Sequence, residues 1–124
     1  MKYFLCAIDN ICLGIPQDNS AHIISSSAIE DNDLIISLPQ LMNCPNILTP
    51  HGIVLKPVNS NRKTILLTPP IDIEIDIPDE DIHDTPRAIA KILPFCNGAC
   101  FIKYTNGENL IFTLDIMKIM GAYA

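Results

Sequence analysis

"ACFIKYTNGENLIFTL", residues 99–114, is the stretch that decides the fold class. Asn106-Gly107 stands between two apolar runs, and Asn-Gly there is the strongest short-range hairpin signal, because both central residues of a type I′ turn need positive φ. A two-residue turn at that point pairs Phe101 with Phe112 on one face and Ile102 with Ile111 on the other. Apolar groups on both faces imply a strand pair enclosed on both sides, as in a small barrel.

The same grammar recurs upstream. "YFLCAI" (3–8), a turn at Asp9-Asn10 and "ICLGIP" (11–16) make a first hairpin ended by Pro16. "IVLKPV" (53–58), "NSN" (59–61) and "KTILLT" (63–68) make another, with Pro57 expected at an edge or bulge because it cannot donate to a ladder. Pro69-Pro70 then separates this hairpin from "IDIEIDI" (71–77), a strand with strict period two, which Pro78 ends. Residues 17–33 are polar around two short apolar clusters and read as connection with a weak strand at 22–25. "LIISLP" (34–39) reads as a buried strand, and the Pro and Gly content of 40–52 reads as irregular chain. Two short helical segments complete the pattern: 85–95, opened by Thr85-Pro86, and the C-terminal "DIMKIMGAYA", capped by Asp115 and stopped at Gly121. Seven or eight short strands with turn residues between them mean a mainly β barrel or sandwich.

Composition supports a packed domain. The 124 residues suit one domain, 48% are hydrophobic, and the net charge is −6. That acidity, with eight scattered Lys and Arg, argues against nucleic acid as a partner. No apolar run approaches the ~20 residues of a membrane span. "YFLCAI" is too short for a signal-peptide core, so a cytoplasmic location is expected. The five cysteines are an odd number in no zinc-ligand spacing and are expected to be reduced and structural; no cofactor is expected.

The most chemical-looking stretch is "IDIEIDIPDEDIHD" (71–84). Seven of the fourteen acids lie between Asp72 and Asp84 with no Lys or Arg among them. Asp72, Glu74 and Asp76 share one strand face, successive side chains about 7 Å apart. A row of acids opposite a row of isoleucines is foremost the wet face of a half-buried strand, and as such a candidate docking face for a basic partner. Asp79, Asp81 and His83 in the following loop are candidate metal ligands. They lack the Gly and spaced acids of a calcium loop and any paired His motif, so an acidic loop without a metal is the simpler reading. No Gly-x-Ser-x-Gly elbow or phosphate-binding Gly-rich loop occurs, and no catalytic residue is assigned. Met117, Ile119 and Met120 are expected to pack the last helix onto the domain, since so short a helix is marginal alone.

In order and spacing these elements resemble the CheW-like domain, the adaptor module of bacterial chemotaxis arrays. "YFLCAIDNICLGIPQDNSAHII" looks like the family's first hairpin. "KTILLTPPIDIEIDIPDEDI" is similar to its strand that runs through an apolar–acidic alternation into "xIPxEDI". "FCNGACFIKYTNGENLIFTLDIMKIM" resembles its closing segment, with Gly98, Gly107, Leu114 and Asp115 where the pattern puts them. The resemblance covers about three-quarters of the chain and rests on common order, since each motif alone is ordinary hairpin chemistry. It implies one CheW-like domain over 1–124, built of two small β-barrel-like, five-stranded subdomains, one completed by strands from both chain ends. It also implies no catalytic centre, and protein partners: the regulatory domain of a CheA-like histidine kinase and the cytoplasmic tip of a chemoreceptor. One departure stands out. The family's "Asn-Leu-Arg-Gly"-like turn in mid-chain is replaced by "PNILTPHGIVLKP", in a chain shorter than a typical member, which leaves room for one subdomain to be incomplete. The rival reading from the residues alone is a small β-barrel that binds a metal ion or small ligand at the acidic loop 79–84.

Overall fold

The computed structural model describes residues 1–55, 63–103 and 108–123. β1 (Lys2–Ile8) and β2 (Ile11–Pro16) form the first hairpin with Ile8 opposite Ile11. Its turn works because Asp9 accepts a φ of 54°, a left-handed conformation that Asp tolerates better than most residues. This hairpin is the centre of the first sheet. β7 (Ile71–Asp76) lies antiparallel on β1, β9 (Glu108–Leu114) lies parallel on β2, and β8 (Cys96–Lys103) closes the row, in the order β7-β1-β2-β9-β8. Strands from both ends of the chain thus complete one sheet.

The second sheet comes from the middle of the sequence. β3 (Ser20–Ser25), β4 (Leu34–Ser37), β5 (His51–Leu55) and β6 (Thr64–Thr68) are arranged β3-β5-β6-β4, with β4 parallel to β6 and the other pairs antiparallel. The weakly signalled segment at 22–25 is therefore part of a strand, and the strand expected at 34–39 forms over its first four residues. Among the described residues this sheet has four strands, one fewer than each subdomain the resemblance implies. The hairpin turns at 59–61 and 106–107 and the expected edge position of Pro57 lie outside the described residues.

One apolar cluster joins the sheets. Ile8, Leu13 and Ile15 from the first meet Ile36, Ile53 and Leu55 from the second, all 3% exposed or less. Each such side chain contributes about 1.5–3 kcal/mol by leaving water. Ser37 and Leu38 correct the expected strand 34–39. Ser37 caps a one-turn helix, α1 (Leu38–Leu41), accepting a hydrogen bond from Gln40 N at 3.4 Å, and Pro39 sits in its first turn, where a missing N–H costs nothing. α2 (Arg87–Ile92) follows Pro86 as expected. α3 (Ile116–Tyr123) begins at Asp115, whose Oδ1 accepts from Lys118 N at 3.1 Å, and Ile119 is fully buried while Met117 is exposed. This helix runs past Gly121: no side chain crowds that position, and the chain keeps its helical course there.

Two expectations about the last hairpin are corrected. The described register pairs Phe101 with Leu110, Cys100 with Ile111 and Ala99 with Phe112, two residues away from the expected pairing. Lys103 opposite Glu108 is the last described pair. A shift of two preserves every side chain's face, which is why the period-two pattern does not expose it. The pair is also not enclosed on both sides, because β8 is an edge strand and Phe101 is 66% exposed.

The first sheet does not close into a barrel. Its two edges are instead bridged by the chain beyond β7, where His83 N donates to Ala99 O and Ala99 N donates to His83 O, both at 2.8 Å. Under this seam Tyr3, Leu5, Ile77, Cys100 and Ile111 form a second buried cluster. Gly98 makes the seam possible: a Cβ there would lie 2.5 Å from Ile82 Cγ2 and 3.3 Å from His83 O.

Candidate protein-docking surface

β7 positions the acids by alternation. Ile73 and Ile75 turn half-buried toward the second cluster, while Glu74 and Asp76 are exposed, and Asp72 shares their parity along the strand. Glu74 Oε1 lies 3.8 Å from Lys2 Nζ, and Asp76 Oδ1 lies 3.0 Å from the Met1 amino nitrogen, which also donates to Ile77 O at 3.2 Å. These pairs follow from the β1–β7 register, which sets Lys2 opposite Asp76 and Phe4 opposite Glu74. Exposed ion pairs are worth about 0–1 kcal/mol, so an incoming cation can replace them at little cost.

The loop behaves differently. Asp79–Asp81 form a 3-10 turn after Pro78, and Asp79, Glu80, Asp81, His83 and Asp84 are all exposed. Three residues per turn send three successive carboxylates in three directions. Among the described residues no group of three His, Cys, Asp or Glu side chains converges in metal-ligand geometry, so Asp79, Asp81 and His83 are not brought together as a cation site. Nor does any Lys or Arg pair with these acids among the described residues. Their field reaches inward. Burial first and Asp81 second push the Cys100 thiol up, and burial, then Asp79 and Asp18, raise the Tyr3 hydroxyl.

The other groups singled out in the sequence are used structurally. Burial pushes the Cys96 thiol up to about 11, and Cys44 is raised by the hydrogen bond it donates to Asp9 Oδ2 at 3.3 Å. A nucleophilic thiol needs the opposite shift. No disulfide joins any of the five cysteines. His51 Nδ1 accepts from Ile71 N at 3.3 Å and so ties β5 to the start of β7, and Ser25 and Ser27 share a hydrogen bond of 2.9 Å at a short 3-10 turn.

A groove that the sequence did not announce lies beside the acidic loop. It holds about 320 Å³ between α2 and the outer face of β8 and β9, lined by His83, Asp84, Pro86, Ile89, Phe101 and Leu110, with Ala99 and Phe112 beneath. Its wall is almost wholly apolar. The alternation of "ACFIK" does separate Ala99 and Phe101 from Cys100 and Ile102. Which set faces water depends on β8 being an edge, and that is set by pairing partners far away in sequence. Among the described residues no helix is long and apolar enough to cross a membrane.

No protein-family model matches the sequence, and no curated protein matches it. A solved structure does: the scaffolding protein TtCheW from Thermoanaerobacter tengcongensis superposes with a TM-score of 0.69 at 10% sequence identity, over 91% of this chain and 82% of that one. At that identity the likeness is one of fold, and it agrees with the two-sheet layout in which both chain ends build one sheet. The protein has a CheW-like fold, mainly β, with two sheets that stay open where a barrel would close.

Proposed function

We propose that the protein is a non-enzymatic adaptor: one CheW-like domain over residues 1–124 that works in the cytoplasm of a chemotaxis or related two-component pathway. Its partners are the regulatory domain of a CheA-like histidine kinase and the cytoplasmic tip of a chemoreceptor, held together by small interfaces on different faces. The observation that carries this reading is the likeness to a scaffolding protein over 91% of the chain. The surface chemistry supports it. Thiols pushed up in pKa, acids left solvated and an apolar groove open to water suit contact with another protein better than bond-making.

Asp72, Glu74 and Asp76 form the proposed docking face for a basic partner surface. Such a face acts over roughly a Debye length of ~8 Å in physiological salt, so it steers and orients a partner more than it adds affinity. Bridging gains from linkage, because a receptor and a kinase held on one small domain meet at high effective concentration. The test is co-sedimentation of the kinase with receptor-tip assemblies. Adding the protein should increase the kinase recovered with the receptor, and an unchanged recovery would refute the bridging role.

A further inference from the structure

We propose that the groove between α2 and the β8–β9 pair receives a segment of a partner protein that places a large apolar side chain against Phe101 and Leu110 and a Lys or Arg against the acids of the 79–84 loop. The inference rests on reading the chain as a protein-docking module, and it is independent of which kinase or receptor is served.

Three observations converge on this occupant. The first is apolar surface held open: Phe101 is 66% and Leu110 38% exposed, and both line the same 320 Å³ groove with Ile89 and Pro86. Aromatic side chains set in apolar pockets are the usual anchors of protein interfaces. The second is charge. Asp84 lines the groove, exposed, and the exposed Asp79, Glu80 and Asp81 precede it by three to five residues in the same loop; none has a cation paired to it among the described residues, in contrast to Glu74 and Asp76, which have Lys2 and the Met1 amino group. A segment with a basic residue next to its apolar anchor supplies what this rim lacks. An acidic segment is repelled, and so is a purely apolar one disfavoured by the desolvation of the rim.

The third is backbone. β8 is the last strand of its sheet, and its outer edge is covered by the described pairing with His83 at Ala99 alone. Because Ala99 directs both its N–H and its C=O to that edge, alternation directs those of Phe101 the same way. An extended segment lying in the groove therefore meets edge hydrogen-bonding groups beside the Phe101 side chain, the arrangement used in strand addition.

Fluorescence anisotropy tests this with two labelled peptides, one alternating Leu and Lys and one alternating Leu and Glu, against the full chain. The Lys peptide should bind and weaken as salt rises, and the Glu peptide should not bind. Phe101→Ala should weaken the Lys peptide roughly tenfold, the loss of an interface anchor. Asp81→Asn with Asp84→Asn should weaken it and flatten its salt dependence, whereas Glu30→Gln with Asp31→Asn, on the connection before β4, should change it less than twofold. Circular dichroism confirms that each variant is folded. Unchanged binding in Phe101→Ala overturns the proposal, as does an equal loss from the Glu30 and Asp31 changes, which would make the binding a general attraction to an acidic protein. Sedimentation showing that the groove is closed by a second copy of the chain, with Phe101→Ala breaking a dimer, overturns it too. If the kinase fails to bind while the Lys peptide binds at Phe101, the pathway is wrong and the groove stands.

Discussion

Replacing Gly98 by Ala tests the seam on which the first sheet depends. The added Cβ would sit 2.5 Å from Ile82 Cγ2, 3.0 Å from Thr113 Oγ1 and 3.3 Å from His83 O, where carbon contacts normally need 3.5–4.0 Å. None of these neighbours yields easily. Ile82 is β-branched and packs on the cluster under the seam, Thr113 is 2% exposed and is hydrogen-bonded at 2.7 Å to Asn97 Oδ1, and the His83 peptide is held by Ala99. Overpacking of this kind costs about 1–3 kcal/mol, and three crowded contacts argue for the upper half of that range. Removing a glycine from the unfolded chain returns about 0.4–1 kcal/mol, which leaves a net loss of about 2 kcal/mol. The chain has no Trp, so urea unfolding is best followed by circular dichroism, with a lowered midpoint and an unchanged slope. The decisive comparison is the same change in an Ile82→Ala background. Removing Cγ2 should cut the cost of Gly98→Ala by about 1 kcal/mol or more, the coupling expected of residues in contact. An equal cost in both backgrounds, or none in either, would show that Ile82 does not lie over Gly98.

Three further outcomes follow from particular groups. Asp115→Ala removes the cap that Lys118 N donates to, and should cost about 1 kcal/mol in the same unfolding assay while Asp115→Asn costs less. Cys96 is neutral up to about pH 11 when folded but ionises near its ordinary 9.0 when unfolded, so the unfolded state loses its proton first as pH rises. Its contribution to stability is full below pH 9 and is lost between 9 and about 11. A Cys96→Ala variant should show a shallower fall over that window in a pH series of urea midpoints. Charge reversal by Glu74→Lys with Asp76→Lys replaces two exposed ion pairs by exposed like-charge neighbours, so stability should fall by no more than about 2 kcal/mol while kinase-domain binding weakens.

What the sequence discloses and what it hides divide along physical lines. Asp9-Asn10 and the alternation at 71–77 are local signals with one physical outcome each, and the turn, the half-buried Ile73 and Ile75 and the exposed Glu74 and Asp76 are all where the residues put them. Asn106-Gly107 is also a local signal, yet the described register differs by two residues, because a two-residue slip leaves every face unchanged and the pattern is blind to it. The helix at Leu38–Leu41 had its own signal, Ser37 followed by Pro39 in the first turn, but an apolar run "LIISLP" reads more readily as strand. The groove had no local signal at all. Among the described residues β8 is an edge strand with one pair beyond it, at His83, and the face that carries Phe101 is left open; nothing in "CFIKY" encodes either. At the acidic loop the composition suits a cation, and among the described residues no three such side chains converge in metal-ligand geometry.

The adaptor reading is tested most directly by calorimetric titration of the full chain with the regulatory domain of a CheA-like kinase from the same organism. A saturable heat with a Kd of about 1–100 µM, weakened by salt and by reversal of Glu74 and Asp76, is the expected result. No heat at concentrations up to about 1 mM, a binding free energy weaker than about −4 kcal/mol, would contradict it.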